Sequence, residues 1–334
     1  MSKKTRYFVL AAIAFLVVGL TTGLVASYLG LTVPVFSRAA GPDELQYVPA
    51  DAAVVAYANV REVMNSDFRD RFRKFEPDTQ ERDEFQQKTG INIEQDIDTV
   101  VAAMMPAPAG AVTFQPHNSM IVVARGRFDQ ARLEALALEH GGKVEEYRSK
   151  RLLTHASETT GTNDMAVAFL DADLVALGSF ESVKRAIDAN NGANVMSNTA
   201  MMSQINELDV STAWAVGQFD ALVREARLPS EISARMPAMQ SFSAAAHVNG
   251  GVSGVIKAET KDVESANNLR DVLRGFLALA KMQAGSKPEL QTMVDSLQLA
   301  GDDKTVSLAF AVPSEVFEAL AAMKGLGAHE EPRQ

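Results

Sequence analysis

Oxygen-bearing side chains alternate over residues 92–98, in a spacing that calcium loops also use. Asn92, Glu94, Asp96 and Asp98 stand at every second position. A calcium loop needs a glycine at its sharp turn and a glutamate at its twelfth position. Ile97 stands where the glycine is needed, and the glutamate is missing. We therefore interpret the segment as an amphipathic approach to a sheet edge rather than a metal site.

The five histidines are dispersed, and none has a His or Glu partner at the spacing that sets two metal ligands on one helix face. We expect structural roles for all of them: His117, His140, His155, His247 and His329. Residues 250–254 enclose Ser253 between glycines, but the spacing is not that of a nucleophile elbow and the serine falls inside a predicted strand. Gly142-Lys143 follows a predicted helix instead of preceding one, which argues against a phosphate loop.

Methionine is frequent, with 14 residues, and cysteine is absent. Five methionines gather near the middle of the chain: Met196, Met201, Met202, Met236 and Met239. Thioethers can capture copper(I), but adaptable packing or a flexible apolar groove explains them better. Without cysteine there are no disulfides, Cys-based zinc sites or thiol catalysis. The sequence thus predicts no catalytic, cofactor-binding or metal-binding residue, and a protein that is not an enzyme.

A membrane span is predicted at the start. Residues 7–37 carry no Asp, Glu, Lys or Arg, and residues 7–31 would reach about 37 Å as a helix, enough to cross a core of about 30 Å. Lys3, Lys4 and Arg6 precede the run, so the N-terminus is predicted to be cytoplasmic and the C-terminal region periplasmic or extracellular. The length favours an uncleaved signal-anchor, although residues 37–39 offer a cleavage site for the alternative, a signal peptide.

The remainder of the chain is acidic, with 28 basic and 42 acidic residues after residue 40. A surface of that charge does not suit nucleic acid or anionic lipid headgroups. We predict six segments: 1–37, the cytoplasmic tip and transmembrane helix; 38–47, a linker; 48–192, a first α+β block; 193–209, a connector; 210–324, a second α+β block; and 325–334, a tail.

The first block shows apolar strands, turn-joined hairpins and capped helices. Strands are predicted at 53–60, 98–104 and 120–125, and hairpins at 143–148 with 151–156 and at 166–170 with 174–177. Helices are predicted around the stripe of Phe68, Phe72 and Phe75, from the Asp78 cap to Gly90, over 129–140, and from the Ser179 cap to residue 190. Residues 106–116 are predicted to be a loop or ragged edge.

The second block follows a helix capped by Asn198. Its clearest signal is Asn249-Gly250 between 241–248 and 252–259, because both positions of such a hairpin turn need φ > 0. The other predicted elements are a strand at 212–216, a helix over 262–282, a helix from Ser286, a hairpin of 297–300 with 305–312, and a closing helix over 314–323.

Many strands joined by tight turns predict an α+β fold with antiparallel sheets and helices packed on one face. The two blocks share an order of elements, and residues 178–183 resemble residues 217–222. Chance produces echoes this short, so a diverged duplication stays open.

Short structural motifs carry a family resemblance. Residues 47–54 read Tyr-Val-Pro-Ala-Asp-Ala-Ala-Val before a Tyr-containing strand, residues 89–92 read Thr-Gly-Ile-Asn ahead of Asp96-Ile97, and residues 177–179, Leu-Gly-Ser, lead into a helix. Over much of residues 45–215 the chain resembles uncharacterised bacterial envelope proteins with one N-terminal membrane helix and an extracytoplasmic α+β region. The resemblance implies an inner-membrane location, but no activity and no catalytic residues.

The sequence leaves three hypotheses for the function. The leading hypothesis is a membrane-tethered, non-enzymatic module that binds or scaffolds an envelope protein partner. The second is an apolar-ligand or lipid-binding ectodomain, which an enclosed cavity lined by Met, Leu and Phe would favour. The third, an enzyme, requires a cleft with converging titratable groups.

Overall fold

The computed structural model describes residues 41–67, 69, 80–106, 120–156, 163–208, 211–219, 238–248, 250–284, 288–313 and 316. Its strands are β1 (Val54–Asn59), β2 (Ile97–Met104), β3 (Met120–Gly126), β4 (Lys143–Tyr147), β5 (Lys150–Ala156), β6 (Asn163–Asp171), β7 (Leu174–Gly178), β8 (Ala213–Gln218), β9 (Met239–Val248), β10 (Gly251–Thr260), β11 (Gln298–Ala300) and β12 (Thr305–Pro313).

Its helices are α1 (Val60–Met64), α2 (Gln80–Thr89), α3 (Ile93–Asp96), α4 (Gln130–Glu139), α5 (Phe180–Asn190), α6 (Thr199–Leu208), α7 (Val263–Ala284) and α8 (Pro288–Asp295). Two 3₁₀ helices, Asp43–Tyr47 and Val195–Ser197, complete the described elements.

The described strands form one antiparallel sheet, in the order β11-β12-β10-β9-β8-β1-β2-β3-β7-β6-β5-β4. Near its centre β1 pairs with β8, which joins Val54–Asn59 to residues more than 150 positions later. From this pair outward, β2, β3, β7, β6 on one side match β9, β10, β12, β11 on the other, and β4 and β5 extend the first side. The fold is mixed α+β with a large antiparallel sheet.

Local signals placed most described elements correctly. Ser179 caps α5 by accepting the Ser182 N–H, Asp129 caps α4, and Asn198 accepts the Met201 N–H at the start of α6. Gly250 adopts φ 64° between β9 and β10. The hairpin turn between β4 and β5 lies one residue earlier than predicted, since Arg148 and Ser149 are the residues with positive φ.

The helices pack on both faces of the sheet, so the prediction of a single helical face is wrong. Leu152 and Leu153 follow each other in β5 and therefore point to opposite faces. Leu152 belongs to the main core beside α5, whereas Leu153 packs with Leu133 and Ala137 of α4. We call the face with Leu152 the covered side and the other face the second side.

The main core lies at the middle of the sheet, mostly on the covered side, and it also includes Ala213 and Ala215 of β8, which point to the second side. Trp214 is fully buried in this core, and its ring stacks on Tyr57 with centroids 5.6 Å apart. α5, α6 and the two 3₁₀ helices pack over this region. The residues that they bury include Leu45, Val48, Val183, Val195 and Ile205.

Several predictions fall outside the described residues. These are the membrane span at 7–31, the stripe of Phe68, Phe72 and Phe75, the Asp78 and Ser286 caps, nearly all of the loop at 106–116, the closing helix apart from Val316, and the tail. Among the helices of the described ranges, none is both long enough and apolar enough to span a membrane.

The echo between residues 178–183 and 217–222 does not follow the order of the sheet. Gly178 ends β7, and Gly217 lies near the end of β8. The outward order instead matches β8 with β1 and β7 with β12. The short sequence likeness therefore joins two non-equivalent positions.

Candidate binding surface

Nine apolar side chains form a grid on the second side of β1, β2 and β3. Strand register aligns them in three rows of three. The rows are Val54–Met104–Met120, Ala56–Ala102–Val122 and Ala58–Val100–Ala124. All nine are half-buried, whereas their neighbours Val55, Val101, Ala103, Ile121 and Val123 are buried. We call these nine residues the apolar grid.

The sequence of the three strands explains the grid. A strand with one wet face alternates apolar and polar residues, whereas a strand covered on both faces is apolar throughout. β1 reads VVAYAN and the last six residues of β2 read TVVAAM, so consecutive apolar residues point both ways. Such strands avoid exposing apolar surface only when both faces are covered.

The residues beside the grid on the adjacent strands are also uncharged, and Ala213 and Ala215 of β8 are buried. On β7, Leu177 lies opposite Val122 and is 40% exposed. On β8, Ala213, Ala215 and Gly217 lie opposite the β1 members of the grid. Because two of the three residues in the central row are alanines, the floor of the surface is low along Ala56 and Ala102, and the largest side chains, Met104 and Met120, lie at one end.

Helices flank the grid on the same side of the sheet. α4 packs on β4 and β5, where Leu153, Phe169 and Val175 are buried around it. α7 and α8 pack on β12, whose buried Val306 and Phe310 point to the second side. Among the described helices, α1 and α3 also contact β2. The grid lies between these flanking layers.

The covered side is held by an ionic junction at the same strands. Glu44, which is 3% exposed, accepts hydrogen bonds from Arg125 Nε at 2.6 Å and from Thr99 Oγ1 at 2.9 Å. Arg125 also donates to Asp173 at 2.6 Å. Burial lowers the pKa of Arg125, but the bonds to Glu44 and Asp173 outweigh it and the net pKa is raised. The junction attaches the first 3₁₀ helix to β2 and β3.

Tyr47 lies beside this junction and is almost fully buried. Its burial raises the pKa of the phenol above the ordinary value of 10.0, and the charge of Asp171 adds to the shift. Arg125 opposes it. The covered side thus carries charge and buried polar groups in defined pairs, whereas the apolar grid carries none.

The alternating polar residues 92–98 serve α3 and its surroundings. Asn92 caps the helix by accepting the Glu94 and Gln95 N–H groups at 3.1 and 3.2 Å. Asp96 accepts from Arg127 at 2.8 Å. Separate arginines pair with the other two acids, Glu94 with Arg69 and Asp98 with Arg61. The segment is a one-turn helix that leads into β2, an interior strand of the sheet, rather than to a sheet edge.

Within the described ranges, no group of three or more His, Asp or Glu side chains is placed to hold a metal ion. His140 caps the end of α4, with Nδ1 2.9 Å from the Leu136 carbonyl oxygen. His155 lies on β5 and His247 on β9. The side chain of His155, and the whole of His117 and His329, lie outside the described residues.

The structure brings together one pair of side chains that the sequence pattern did not indicate. Register sets Ser253 of β10 directly opposite His247 of β9, so their Cβ atoms are about 5 Å apart. Five residues, which include the turn, separate them in the sequence. A two-residue turn at 249–250 would set Ser253 opposite Ala246, whereas the observed register pairs Val248 with Val252 and so brings Ser253 to His247.

Most methionines of the cluster are buried or pack against the main core. Met201 is 6% exposed in the main core and Met239 is 7% exposed, whereas Met196 is exposed on the surface. Met202 packs against the main core, and Met236 lies outside the described residues. Two other methionines, Met104 and Met120, lie side by side at one end of the apolar grid.

No protein-family model matches the chain, and no curated protein matches it significantly. A solved structure, crystal form I of TP0453, matches with a TM-score of 0.48 and 9% sequence identity. The match covers 86% of this chain and 99% of that chain.

Proposed function

We propose that this protein is a membrane-tethered, extracytoplasmic binding module of the bacterial envelope, without catalytic activity, and that the apolar grid receives a helix of a partner protein. The main support for this proposal is the apolar grid: nine uncharged apolar side chains on three central strands, all of them half-buried. A contiguous apolar patch that its own chain leaves only partly covered can serve as an interaction site.

The dimensions of the grid favour a helix as the occupant. Strands in a sheet are about 4.8 Å apart, so three strands offer a floor about 14 Å wide. A helix with its side chains is about 10–12 Å across. The central alanines, Ala56 and Ala102, let such a helix approach closely, and the flexible side chains of Met104 and Met120 adapt to its surface.

The second candidate is an apolar ligand such as a lipid acyl chain. The methionine pair and the absence of charge favour it as well. Small-ligand sites are usually enclosed and include a few polar groups that fix orientation, and the grid offers none. We therefore place the protein partner first.

The tether is proposed from the sequence, with residues 7–31 as an uncleaved inner-membrane span, a cytoplasmic N-terminus and a periplasmic or extracellular domain. The segment that follows the proposed tether leaves the grid accessible, because the first 3₁₀ helix docks on the covered side through Glu44 and Arg125. The attachment point and the grid therefore lie on opposite faces. Sequencing the mature N-terminus tests the span, since a start at Ala40 would refute it.

We also propose that the two blocks are diverged repeats, supported by the matching strand order on the two sides of the β1–β8 pair. In an experimental structure, the rotation that carries β1 onto β8 should also carry β2 onto β9 and β3 onto β10. A rotation that leaves those strands unmatched would dismiss the duplication.

The partner is tested by photo-cross-linking in native membranes. A benzophenone amino acid replaces Val122 in the grid, and the control replaces Leu138, which is exposed on α4. We expect a discrete protein adduct from position 122 alone, and its loss when Ala102→Glu is added to the same chain. A lipid adduct would support the second candidate, and equal adducts from both positions would reject the grid as the binding surface.

The absence of catalysis has its own test at Ser253 and His247. A serine–histidine pair acts as a nucleophile only when the base is oriented and an oxyanion site is present. We expect the full chain to resist labelling by a fluorophosphonate probe. Stoichiometric labelling that Ser253→Ala removes would overturn the non-enzymatic proposal.

A further inference from the structure

The two edge strands of the described sheet differ in length. They are β4, with five residues, and β11, with three. An edge strand leaves a row of backbone N–H and C=O groups unpaired, and proteins protect such edges with short strands, charges, prolines or bulges. β11 is protected by its shortness, whereas β4 carries Lys143, Glu145 and Glu146. The order of these charges along β4 indicates which strand can pair with it.

The hairpin turn determines which backbone groups of β4 point outward. A two-residue turn with positive φ at residues 148 and 149 joins β4 to β5. The pair of residues that flanks such a turn is hydrogen-bonded, and hydrogen-bonded pairs alternate with non-bonded pairs along an antiparallel ladder. Tyr147 flanks the turn, so every second residue before it is bonded to β5. The residues between them, Val144 and Glu146, therefore direct their N–H and C=O groups away from the sheet.

We propose that β4 is a homodimer contact, in which β4 of a second copy pairs with it antiparallel about a two-fold axis at Val144. An axis normal to the sheet sets each residue opposite one on the same face of the other copy. With this axis the two Val144 residues exchange both of their backbone hydrogen bonds. Lys143 of each copy lies opposite Glu145 of the other. Glu146 lies opposite Gly142, which has no side chain.

The charge pattern selects this axis. An axis at Lys143 would set two ammonium groups opposite each other, and an axis at Glu145 or Glu146 would do the same with two carboxylates. An axis at Tyr147 would place the hairpin turn inside the pair. Like charges directly opposite destabilise a strand pair, whereas opposite charges stabilise it. Lys143 is exposed, and Glu145 is half-buried with a long 3.5 Å hydrogen bond from Thr154, so both side chains can turn to a second copy.

The same axis agrees with the position of the proposed tether. Because the axis is normal to the sheet, the covered sides of both copies lie on one face of the dimer and both apolar grids lie on the other. The first 3₁₀ helix docks on the covered side in each copy, so two membrane spans can reach the same bilayer. The strand pairing itself depends neither on the span nor on the grid.

The contact is small and closes at two copies. Two five-residue strands bury less than the roughly 1,200 Å² of stable complexes, so the dimer is weak in solution and is strengthened where copies are concentrated on one membrane. Each copy contributes its one β4 edge, and a two-fold contact uses the same surface on both. The assembly therefore stops at a dimer.

Charge reversal tests the contact in the purified full chain. Lys143→Glu or Glu145→Lys sets like charges opposite each other twice in the dimer, and each variant should raise the dissociation constant about tenfold. The double variant Lys143→Glu/Glu145→Lys restores opposite charges and should dimerise as the parent does. Sedimentation equilibrium in detergent over a range of concentrations measures all four chains, and far-UV ellipticity shows that each is folded.

Disulfide formation tests the register, since the chain has no cysteine of its own. A chain with Lys143→Cys is mixed with a chain with Glu145→Cys, which sets Cα atoms about 4.5 Å apart, within reach of a disulfide. Either variant alone places its two thiols on diagonal neighbours, about 7–8 Å apart. We expect the mixed disulfide to form well ahead of the others. Gln298→Cys mixed with Ala300→Cys is the control at the exposed β11 edge and should stay unlinked.

Three results would overturn the dimer. The first is a parent chain that stays monomeric at every concentration. The second is a double reversal that dimerises no better than the single ones. The third is a thiol at position 145 that, in native membranes, links to a different protein and not to position 143 of a second copy, which would show that a foreign strand pairs with β4.

Discussion

The two sides of β1, β2 and β3 have nearly the same residue types and different surroundings. On the covered side, Val101 and Val123 are fully buried in the main core. On the other side, their sequence neighbours Ala102 and Val122 are half-buried in the apolar grid. An apolar strand pattern thus indicates that both faces avoid water. The tertiary structure decides whether residues of the same chain pack on each face of these strands.

The largest expected difference between the two sides comes from adding a charge. Val123→Lys places an unpaired ammonium in the main core and should cost roughly 3–5 kcal/mol or more of unfolding free energy. Val122→Lys places it at the grid, where the long side chain reaches water, and should cost less than about 1 kcal/mol. Urea denaturation of both variants measures the difference.

The adjacent positions serve as each other's control, since the strand and the substitution are the same. Equal loss of stability in Val122→Lys would mean that the chain itself covers the grid. That result would remove the grid as a binding surface.

A smaller effect is expected at the ionic junction of the covered side. Among the described residues, Arg125→Met leaves Thr99 as the hydrogen-bond donor to the buried carboxylate of Glu44. The substitution should cost about 3 kcal/mol, at the low end of the range because Arg125 is partly exposed. Thermal unfolding at neutral pH measures the loss.

The double variant Glu44→Gln/Arg125→Met separates charge from packing. Removing the stranded charge should recover part of the stability lost by Arg125→Met alone. A double variant that is less stable than the single one would show that the junction acts through shape rather than charge.

The smallest effect is confined to alkaline pH. Burial raises the pKa of Tyr47, and Asp171 adds to the shift, so the folded state holds the phenol proton more tightly than the unfolded state. The resulting stability is complete below pH about 10 and is lost as pH rises through the raised pKa. Unfolding curves at pH 8 and pH 11 should therefore lose less stability in Tyr47→Phe than in the parent chain. An identical loss would exclude Tyr47 as the titrating group.

Elements fixed by local chemistry were predictable from the sequence. The Ser179 and Asn198 caps and the Gly250 turn each satisfy a backbone need within a few residues, and the structure confirms them. The helix at 93–96 was missed because its residues were interpreted as an amphipathic approach to a sheet edge. Its cap, Asn92, was present in the sequence but was interpreted as part of an acidic alternation.

Features set by long-range pairing were not predictable. Nothing local in residues 54–59 or 213–218 specifies that β1 pairs with β8, and this contact merges the two predicted blocks into one sheet. The side on which α4 packs was equally hidden, because β5 offers leucines to both faces at residues 152 and 153. The apolar grid could not be predicted for the same reason. A strand that is apolar on both faces does not show whether its own chain or a partner covers each face.

Cysteine accessibility at the grid tests the central claim most directly. Ala102→Cys and Ala103→Cys place a single thiol on opposite sides of β2 in a chain that has no other. In the purified full chain, the thiol of Ala102→Cys should react with maleimide far faster than that of Ala103→Cys, whose parent alanine is 2% exposed. In native membranes the first thiol should become protected by the partner. Equal rates for Ala102→Cys in the purified chain and in membranes would contradict a grid that binds a partner.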